Sequence, residues 1–311
     1  MGRNKKRKSL KKKSGINYKL VCIITIIVLI PVMYGAYLYF RQSEKITQSQ
    51  SYSQTHPENE TQKPNPLPKT GKPQTNPPHH ASPAKDLDIP ISLIPRQEQI
   101  IRHTGYTVSY NKDLKLPNWV SYELTRQETK GKEKRNNRFV TDPLVKGYIA
   151  TNEDYARSGY DKGHMAPAAD MKWSAAAMKE SFYFSNMCPQ HPQLNRRGWK
   201  KLEEKIRDRA IEDSAVIIIC GPILKQPVKT IGKNKVAVPQ RFFKVILSPY
   251  VKPMRAIGFL FNNAQAVEPL SSYAVSIDSI EQLTNMDFFA PLPDDIENKI
   301  EAEANYFQWA N

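Results

Sequence analysis

Gly159–Asp170 reads Gly-Tyr-Asp-Lys-Gly-His-Met-Ala-Pro-Ala-Ala-Asp and places a histidine directly behind a glycine. Because Gly163 allows a tight turn, a backbone carbonyl there can hold the ring of His164 in one tautomer. Near pH 7 a neutral imidazole is a suitable base to take a proton from water. A lone histidine is more often structural, so this stretch acquires a chemical meaning only together with a second segment of the chain.

That second segment has side chains of interest at every fourth position, namely Asn195, Trp199, Glu203 and Arg207. Residues four apart share one face of a helix, so these side chains would form one slowly drifting stripe. One interpretation is a surface helix with a Glu203–Arg207 ion pair. The other is a cation held by the amide oxygen of Asn195, and Mg²⁺ suits this because it keeps several waters and takes few protein ligands.

Cationic side chains also stand at the end of a polar loop, Gln127–Asn137, and just after it. Arg135 and Arg138 flank this end, and either guanidinium could clamp a phosphate. A solvated charged loop is the alternative for most of Lys130–Lys134. Asn186 is ambiguous by itself, since an asparagine before a turn is usually explained by turn chemistry.

The basic character of this 311-residue chain is concentrated at its start. Residues 1–19 contain nine Lys or Arg and no acidic residue, out of a formal net charge of +16. Residues 90–311 contain 31 basic and 25 acidic side chains, an excess of only six. The high charge therefore does not by itself indicate nucleic-acid binding, although the remaining domain is compatible with a polyanionic substrate.

An uncharged apolar run of 21 residues, Leu20–Phe40, comes after the basic tail. As a helix it would extend about 30 Å, which matches the hydrocarbon core of a bilayer. A cleaved signal peptide is the alternative, but its apolar core would be shorter and would end at a small-residue site. We therefore expect a transmembrane anchor at 20–40, a cytoplasmic tail at 1–19, and everything after residue 40 outside the cytoplasm.

The composition changes twice beyond this run. Residues 41–89 are rich in polar residues and proline and nearly lack large apolar groups, which predicts a disordered linker. Residues 90–311 have the composition of a folded domain. Cys188 and Cys220 lie in this domain, and both a disulfide and two buried thiols are compatible with the sequence.

The expected domain is α+β with a largely antiparallel sheet, because strands and helices alternate without regular βαβ spacing. Alternating or continuous apolar runs predict strands at Tyr106–Tyr110, Trp119–Leu124, Ala215–Cys220, Phe242–Leu247 and Ala256–Phe261. The helices are expected at Ala175–Glu180 and Arg197–Ile211.

These segments together resemble the DNA/RNA non-specific endonuclease family, the ββα-metal or His-Me finger group that includes the endonuclease G type. The family signature Asp-Arg-Gly-His is similar to Asp161-Lys162-Gly163-His164. A second block from Tyr183 to Glu203 resembles the metal-ligand helix of the family. A third block, Val236–Lys244, looks like its strand with a proline and an aromatic-lysine pair. The resemblance extends over roughly residues 100–290 and implies a ββα-metal finger on the central sheet.

The resemblance implies specific roles for the signature and the metal ligand. His164 would be the general base that activates water, with Asp161 beside it in the signature. Asn195 would bind Mg²⁺ directly, with Mn²⁺ as an alternative cofactor, and Glu203 would hold metal-bound water. Lys162 departs from the family arginine, which puts any bidentate contact at that position in doubt.

The remaining roles concern the phosphate. The resemblance implies that Asn186 and Arg207 support the site and the scissile phosphate. Arg135 matches the upstream arginine of the family best by its distance from Phe139, with Arg138 as the neighbouring alternative. The implied activity is cleavage of DNA and RNA with little sequence preference, leaving 5′-phosphate ends.

The expected partners are DNA and RNA as substrates, the membrane through residues 20–40, and a second copy of the chain in a homodimer. A nucleic-acid capture protein on the same fold is the alternative hypothesis. A phosphodiesterase for smaller esters is a third. The presence of His164, Asn195 and Glu203 favours the enzyme, because a protein that only binds nucleic acid needs none of them.

Overall fold

A seven-stranded antiparallel sheet lies at the centre of the computed structural model, which describes residues 86–311. Its strands, from one edge to the other, are Ala274–Val275 (β12), Arg255–Asn262 (β11), Arg241–Ser248 (β10), Ala215–Ile223 (β7), Leu116–Thr125 (β4), Thr107–Asn111 (β3) and Gln99–Arg102 (β2). Three strand pairs stand apart from it: Ile91–Ser92 (β1) with Met286–Asp287 (β13), Asp161–His164 (β5) with Met187–Gln190 (β6), and Thr230–Ile231 (β8) with Val236–Ala237 (β9).

The helices are short except for one, which comes after strand β6. They are Asn152–Tyr155 (α1), Ala175–Glu180 (α2), Lys200–Glu212 (α3), Ile277–Thr284 (α4), Asp294–Glu301 (α5) and Tyr306–Ala310 (α6). Single 3₁₀ turns occur at Glu128–Lys130, Phe184–Asn186 and Leu270–Tyr273, and a π-helical segment at Leu194–Trp199 leads directly into α3.

Both faces of the central sheet are covered, which explains the continuous apolar run in β7. Successive side chains of a strand point to opposite faces, so Ile218 packs into the core that contains Leu202 of α3. Ile219 points the other way, into a second core with Ile280 of α4. A strand buried on both sides does not alternate with polar residues, and the centre of β7, Val216–Ile219, is therefore an unbroken run of Val and Ile.

The expected α+β class and antiparallel sheet are confirmed, and each predicted strand is present with slightly different ends. The helix predicted at Arg197–Ile211 is corrected at its start, because Leu194–Trp199 is π-helical and the α-helix begins at Lys200. Leu87, which lies just before the predicted domain start at residue 90, is buried in the second core.

The predicted tail at 1–19, the anchor at 20–40 and nearly all of the linker at 41–89 lie outside the described residues. Within residues 86–311, no helix is both long enough and apolar enough to cross a bilayer.

Phe243→Ala tests the second core. Phe243 is fully buried, and its ring centroid lies 5.6 Å from that of Phe288. Removing the ring should lower the free energy of unfolding by about 3–5 kcal/mol, because a cavity remains where the ring packed. Urea titration measures this loss. The control Phe307→Ala removes a ring that is 70% exposed and should change stability by under about 0.5 kcal/mol. If Phe243→Ala lowered the free energy of unfolding as little as Phe307→Ala, the second core would contribute little to stability.

Candidate active site

A cleft of about 420 Å³ brings together most of the residues expected to carry the chemistry. It is lined by Arg135, Lys162, His164, Pro167, Ala168, Ala169, Asn195, Arg196, Lys200, Glu203 and Arg207. These include five Lys or Arg side chains and a single carboxylate, so the cleft is strongly electropositive. The main sources are the β5–β6 hairpin, the loop after β5, the π-helical segment and α3.

The hairpin places His164 at the end of β5, where it pairs with Met187 of β6. Gly163 has no room for a side chain, because a Cβ there would collide with Gln190. The ring of His164 packs edge-on against Phe182, with centroids 5.0 Å apart, and beside Phe139 at 5.6 Å. The glycine therefore allows the two strands to approach closely and the aromatic rings fix the imidazole.

His164 is neutral at physiological pH. Burial lowers its pKa to about 3, and the nearby charge of Arg135 acts in the same direction. Its Nε2 is enclosed without a hydrogen-bond partner among the described residues. A neutral imidazole keeps one unprotonated nitrogen, which is the state that a general base requires.

Asn186, which is expected to support the site and the scissile phosphate, does not line the cleft, and its side chain contacts the protein backbone behind it. Its side chain is completely buried and accepts a hydrogen bond from the backbone N–H of Ala166 at 2.8 Å. Its Nδ2 donates to the carbonyls of Ala166 and Ser181, both at 2.8 Å. All of its polar atoms are thus used to hold the loop that leaves His164, which makes Asn186 a positioning residue.

Asp161 also positions another group instead of lining the cleft. Its Oδ2 accepts a hydrogen bond from Nδ2 of Asn195 at 2.9 Å. Arg196 donates two further hydrogen bonds to the same carboxylate, at 2.7 and 2.8 Å. Because the amide nitrogen of Asn195 is engaged, its oxygen is the side-chain atom left to face the cleft.

Among residues 86–311, Glu203 is the only one that brings a carboxylate to the cleft. Burial raises its pKa to about 7, and Asp170 also raises it. The positive charges of Lys244 and Arg207 oppose this rise and favour the ionised form. Lys244 is fully buried, with its ammonium 4.4 Å from the centroid of the Trp199 ring.

Arg207 is held in place from behind by a buried carboxylate. Its Nη1 donates to Oδ1 of Asp170 at 2.8 Å, and the hydroxyl of Tyr122 donates to the other oxygen, also at 2.8 Å. Sequence reasoning assigned no role to Asp170. The sequence pointed to Asp170 only through its place at the end of the stretch that contains His164. Its partner Arg207 lies 37 residues further along the chain, so the sequence did not connect the two.

The expectation that Asn195, Trp199, Glu203 and Arg207 lie along one face of an α-helix is wrong. Asn195 and Trp199 belong to the π-helical segment, where a four-residue spacing does not keep side chains aligned. Trp199 is 1% exposed and packs in the core, and its Nε1 donates to the carbonyl of His164 at 3.3 Å. Only Asn195, Glu203 and Arg207 of the stripe face the cleft.

The polar loop contributes one arginine. Arg135 lines the cleft, and its guanidinium stacks over the ring of Phe182 at 5.0 Å from the centroid. Arg138 does not line it. The alternative left open by the sequence is therefore decided by position in favour of Arg135.

Lys162 lines the cleft in a fixed orientation. Its ammonium donates to Oδ1 of Asn152 at 2.9 Å and lies 4.4 Å from the centroid of the Phe139 ring. Two other cations, Arg196 and Lys200, are functional candidates that sequence reasoning missed. They follow Asn195 by one and five residues, and this proximity to the expected metal ligand could have identified them in the sequence.

Cys188 and Cys220 are both buried free thiols, so the alternative of a disulfide between them is not realised. Burial raises the pKa of Cys188 far above its usual range and that of Cys220 to about 11. Such thiols are protonated and inert, which excludes them as nucleophiles.

The oxygen donors in the cleft fit a small hard cation. The Asn195 amide oxygen is oriented by Asp161, and the Glu203 carboxylate lines the same cleft. In the described part of the chain no cysteine or second histidine lines the cleft, so these donors are not those of a zinc site. Few protein oxygens together with space for water is the arrangement that Mg²⁺ prefers.

Asn186→Ala tests the positioning role. The substitution leaves one buried N–H and two buried carbonyls without partners. Stability should fall by about 3 kcal/mol, because each unsatisfied buried group costs roughly 1–3 kcal/mol and the losses are not additive. The exposed Asn298 provides the control, and Asn298→Ala should be neutral in the same urea titration. A neutral Asn186→Ala variant would contradict the role assigned to this amide.

The family comparison agrees with this site. The model of the DNA/RNA non-specific endonuclease family matches residues 84–295, which include every residue of the cleft. The region is slightly longer than the resemblance found in the sequence.

Several curated nucleases are similar to a large part of the chain. The chain is 34% identical over 207 residues to "Nuclease EXOG, mitochondrial" of Danio rerio, an alignment that covers 61% of this chain and 60% of that protein. It is 35% identical over 210 residues to "Endonuclease G, mitochondrial" of Homo sapiens, covering 63% and 71%. The alignments with the EXOG proteins of Xenopus laevis and Mus musculus cover 64% and 57% of those proteins. The chain thus spans less than two thirds of the length of these EXOG relatives.

A solved structure supports the same relationship. A complex of EndoG with EndoGI, described as showing the mechanism of EndoG inhibition, matches with a TM-score of 0.59 and 29% sequence identity. The match covers 64% of this chain and 89% of the other. The family match includes every residue of the cleft, and the chain belongs to the DNA/RNA non-specific endonuclease family.

Proposed function

We propose that the chain is a metal-dependent endonuclease that hydrolyses the phosphodiester bonds of DNA and RNA and leaves 5′-phosphate ends. The observation that carries this proposal is the composition of one cleft. It combines a neutral buried histidine, an oriented amide oxygen, one carboxylate and five cationic side chains.

The proposed cofactor is Mg²⁺, with Mn²⁺ as the alternative. Asn195 would hold it through the amide oxygen, and Glu203 would accept hydrogen bonds from its waters. When bound, such an ion stabilises the negative charge that develops on the phosphate and on the leaving oxygen. The rise in the pKa of Glu203 caused by burial is opposed by Lys244 and Arg207, which favours the ionised carboxylate that this role needs.

His164 performs the proton transfer in this proposal. A water near the ring gives a proton to the unprotonated imidazole nitrogen as its oxygen attacks the phosphorus. The bond between phosphorus and the 3′-oxygen breaks at the same time, and the 3′-oxygen leaves with the bonding electrons and takes up a proton from solvent. The lowered pKa of His164 keeps the ring neutral over the whole physiological pH range, so one of its two nitrogens is free to accept a proton. The backbone of the loop that leaves His164 is held by Asn186 and Trp199, so the ring is preorganised.

The cationic side chains bind the substrate backbone. Arg207 is held by Asp170, and Arg135 is stacked on Phe182, so both guanidinium groups are positioned before substrate arrives. Lys200 and Lys162 add positive charge at the same cleft. Phosphates are common to DNA and RNA and carry no sequence information, which supports cleavage with little sequence preference.

Cleavage assays with the full-length chain in mild detergent test this proposal. Plasmid DNA and a structured RNA are incubated with Mg²⁺, with Mn²⁺ and with EDTA. We expect metal-dependent degradation, and a loss of at least about 100-fold in His164→Ala, since a positioned base contributes 10²–10⁴-fold. Asn195→Ala should lose activity that extra metal partly restores. End-labelling of the products with and without prior phosphatase treatment reports the 5′-phosphates.

Two matched controls separate chemistry from general damage. His191→Ala and Asn298→Ala remove the same side-chain types outside the cleft and should keep full activity. Fluorescence anisotropy in EDTA should show that His164→Ala still binds an oligonucleotide. If the wild-type chain binds nucleic acid tightly but cleaves it with neither metal, the capture protein replaces the enzyme as the function.

The location of the enzyme is a separate part of the proposal. We propose that residues 20–40 anchor the chain in a membrane with residues 1–19 in the cytoplasm and the nuclease domain outside it. The supports are the uncharged length of 20–40 and the nine basic residues before it. The homodimer stays a prediction.

Protease treatment of intact cells tests this topology. The nuclease domain should be degraded without lysis, whereas an epitope at the N-terminus should stay protected. Deleting residues 1–40 should release the domain from the membrane fraction in carbonate extraction. A protected nuclease domain in intact cells, or unchanged membrane association after the deletion, would exclude the proposed anchor.

A further inference from the structure

Three carboxylates meet on the sheet face opposite the cleft. Their ligand atoms, from Asp278 and Glu281 of α4 and from Glu301 of α5, all lie within 4.8 Å of one another. Ile280 of α4 and Ile300 of α5 pack against the second core. The cleft is formed by α3, which packs on the first core, so the two sites are separated by the sheet.

Glu301 cannot remain as a bare charge in this position. The residue is only 4% exposed, and its Oε1 is enclosed without a hydrogen-bond partner in the described part of the chain. The carboxylates of Asp278 and Glu281 lie next to it, so three acidic groups share one position. Burying the negative charge of Glu301 here costs several kcal/mol of folding free energy, unless the carboxylate takes up a proton or binds a cation.

The other two carboxylates are presented by one helix. Asp278 and Glu281 are three residues apart on α4 and therefore share a face. The backbone N–H of Phe288 donates to Oε1 of Glu281 at 2.8 Å, which fixes the direction of that carboxylate. Ser276 caps the start of the helix and Asn285 ends it in a left-handed conformation, so the scaffold has defined ends. Oxygens from two separate helices thus converge from prearranged positions.

The chemistry and the spacing favour Ca²⁺ over other cations. All of the donors are carboxylate oxygens, which suits a hard ion and excludes a zinc-type set. Ca²⁺ takes several carboxylates in a flexible geometry, whereas Mg²⁺ demands a near-ideal octahedron and is usually bound through one or two carboxylates and water. Three carboxylates that converge from two helices match the first pattern. We propose that Asp278, Glu281 and Glu301 form a Ca²⁺ site that ties α4 to α5.

Thermal unfolding of the full-length chain in mild detergent tests the site without measuring activity. After treatment with EDTA and dialysis, the midpoint is measured with no metal, with 10 mM Ca²⁺ and with 10 mM Mg²⁺. Ca²⁺ should raise it by about 5 °C, as expected for an ion well above its dissociation constant. The shift should persist in Asn195→Ala, because that residue lies in the cleft on the other side of the sheet. Calorimetry should show one equivalent of bound Ca²⁺ in this variant.

Glu301→Gln is the decisive substitution. It keeps the shape of the side chain and removes the buried charge, so the metal-free variant should be at least as stable as the wild type. The Ca²⁺-dependent shift and the calorimetric binding should both be lost. Glu303→Gln makes the same change at an exposed position two residues further on and should keep both. The proposal is overturned if Ca²⁺ does not stabilise the wild type, or if Glu301→Gln retains the shift.

Discussion

The three buried hydrogen bonds of Asn186 are the interaction on which the cleft depends. They hold Ala166 at the end of the loop that begins with His164, and they connect this loop to the end of α2 through Ser181. The indole of Trp199 adds a fourth hydrogen bond to the same stretch of backbone. His164 and the segment that contains Asn195 therefore keep a fixed position relative to each other, because the hydrogen bonds around them are shielded from water.

The electrostatics of the cleft depend on how its charges are buried. A cleft lined with arginine and lysine attracts a polyanion, while the single carboxylate among them needs cationic neighbours to remain ionised. Lys244 provides such a charge from inside the core, and Arg207 provides another from the cleft wall. His164 is held neutral by the same low-dielectric surroundings. Burial thus tunes a base and a carboxylate in opposite directions within one site.

The central sheet divides the domain into two halves. The face that carries α3 holds the cleft, and the face that carries α4 and α5 holds the second core and the three carboxylates. Because both cores share the strands β7 and β10, loss of packing on one face weakens the support of the other. The direct contacts in the two sites remain separate, so their effects on catalysis and on stability can be measured separately.

The amino-acid sequence alone determined the strands, the α+β class and four residues of the cleft, namely His164, Asn195, Glu203 and Arg207, whereas it left Arg135 and Arg138 as alternatives. Apolar periodicity and local motifs contain this information because it concerns residues near one another in the chain. Only the tertiary structure decided that Asn186 and Asp161 position other groups, that Trp199 is a core residue, and that Arg196 and Lys200 line the cleft. The reason is physical: hydrogen bonds and burial between segments distant in sequence depend on how strands and helices pack, and residue spacing does not record that packing.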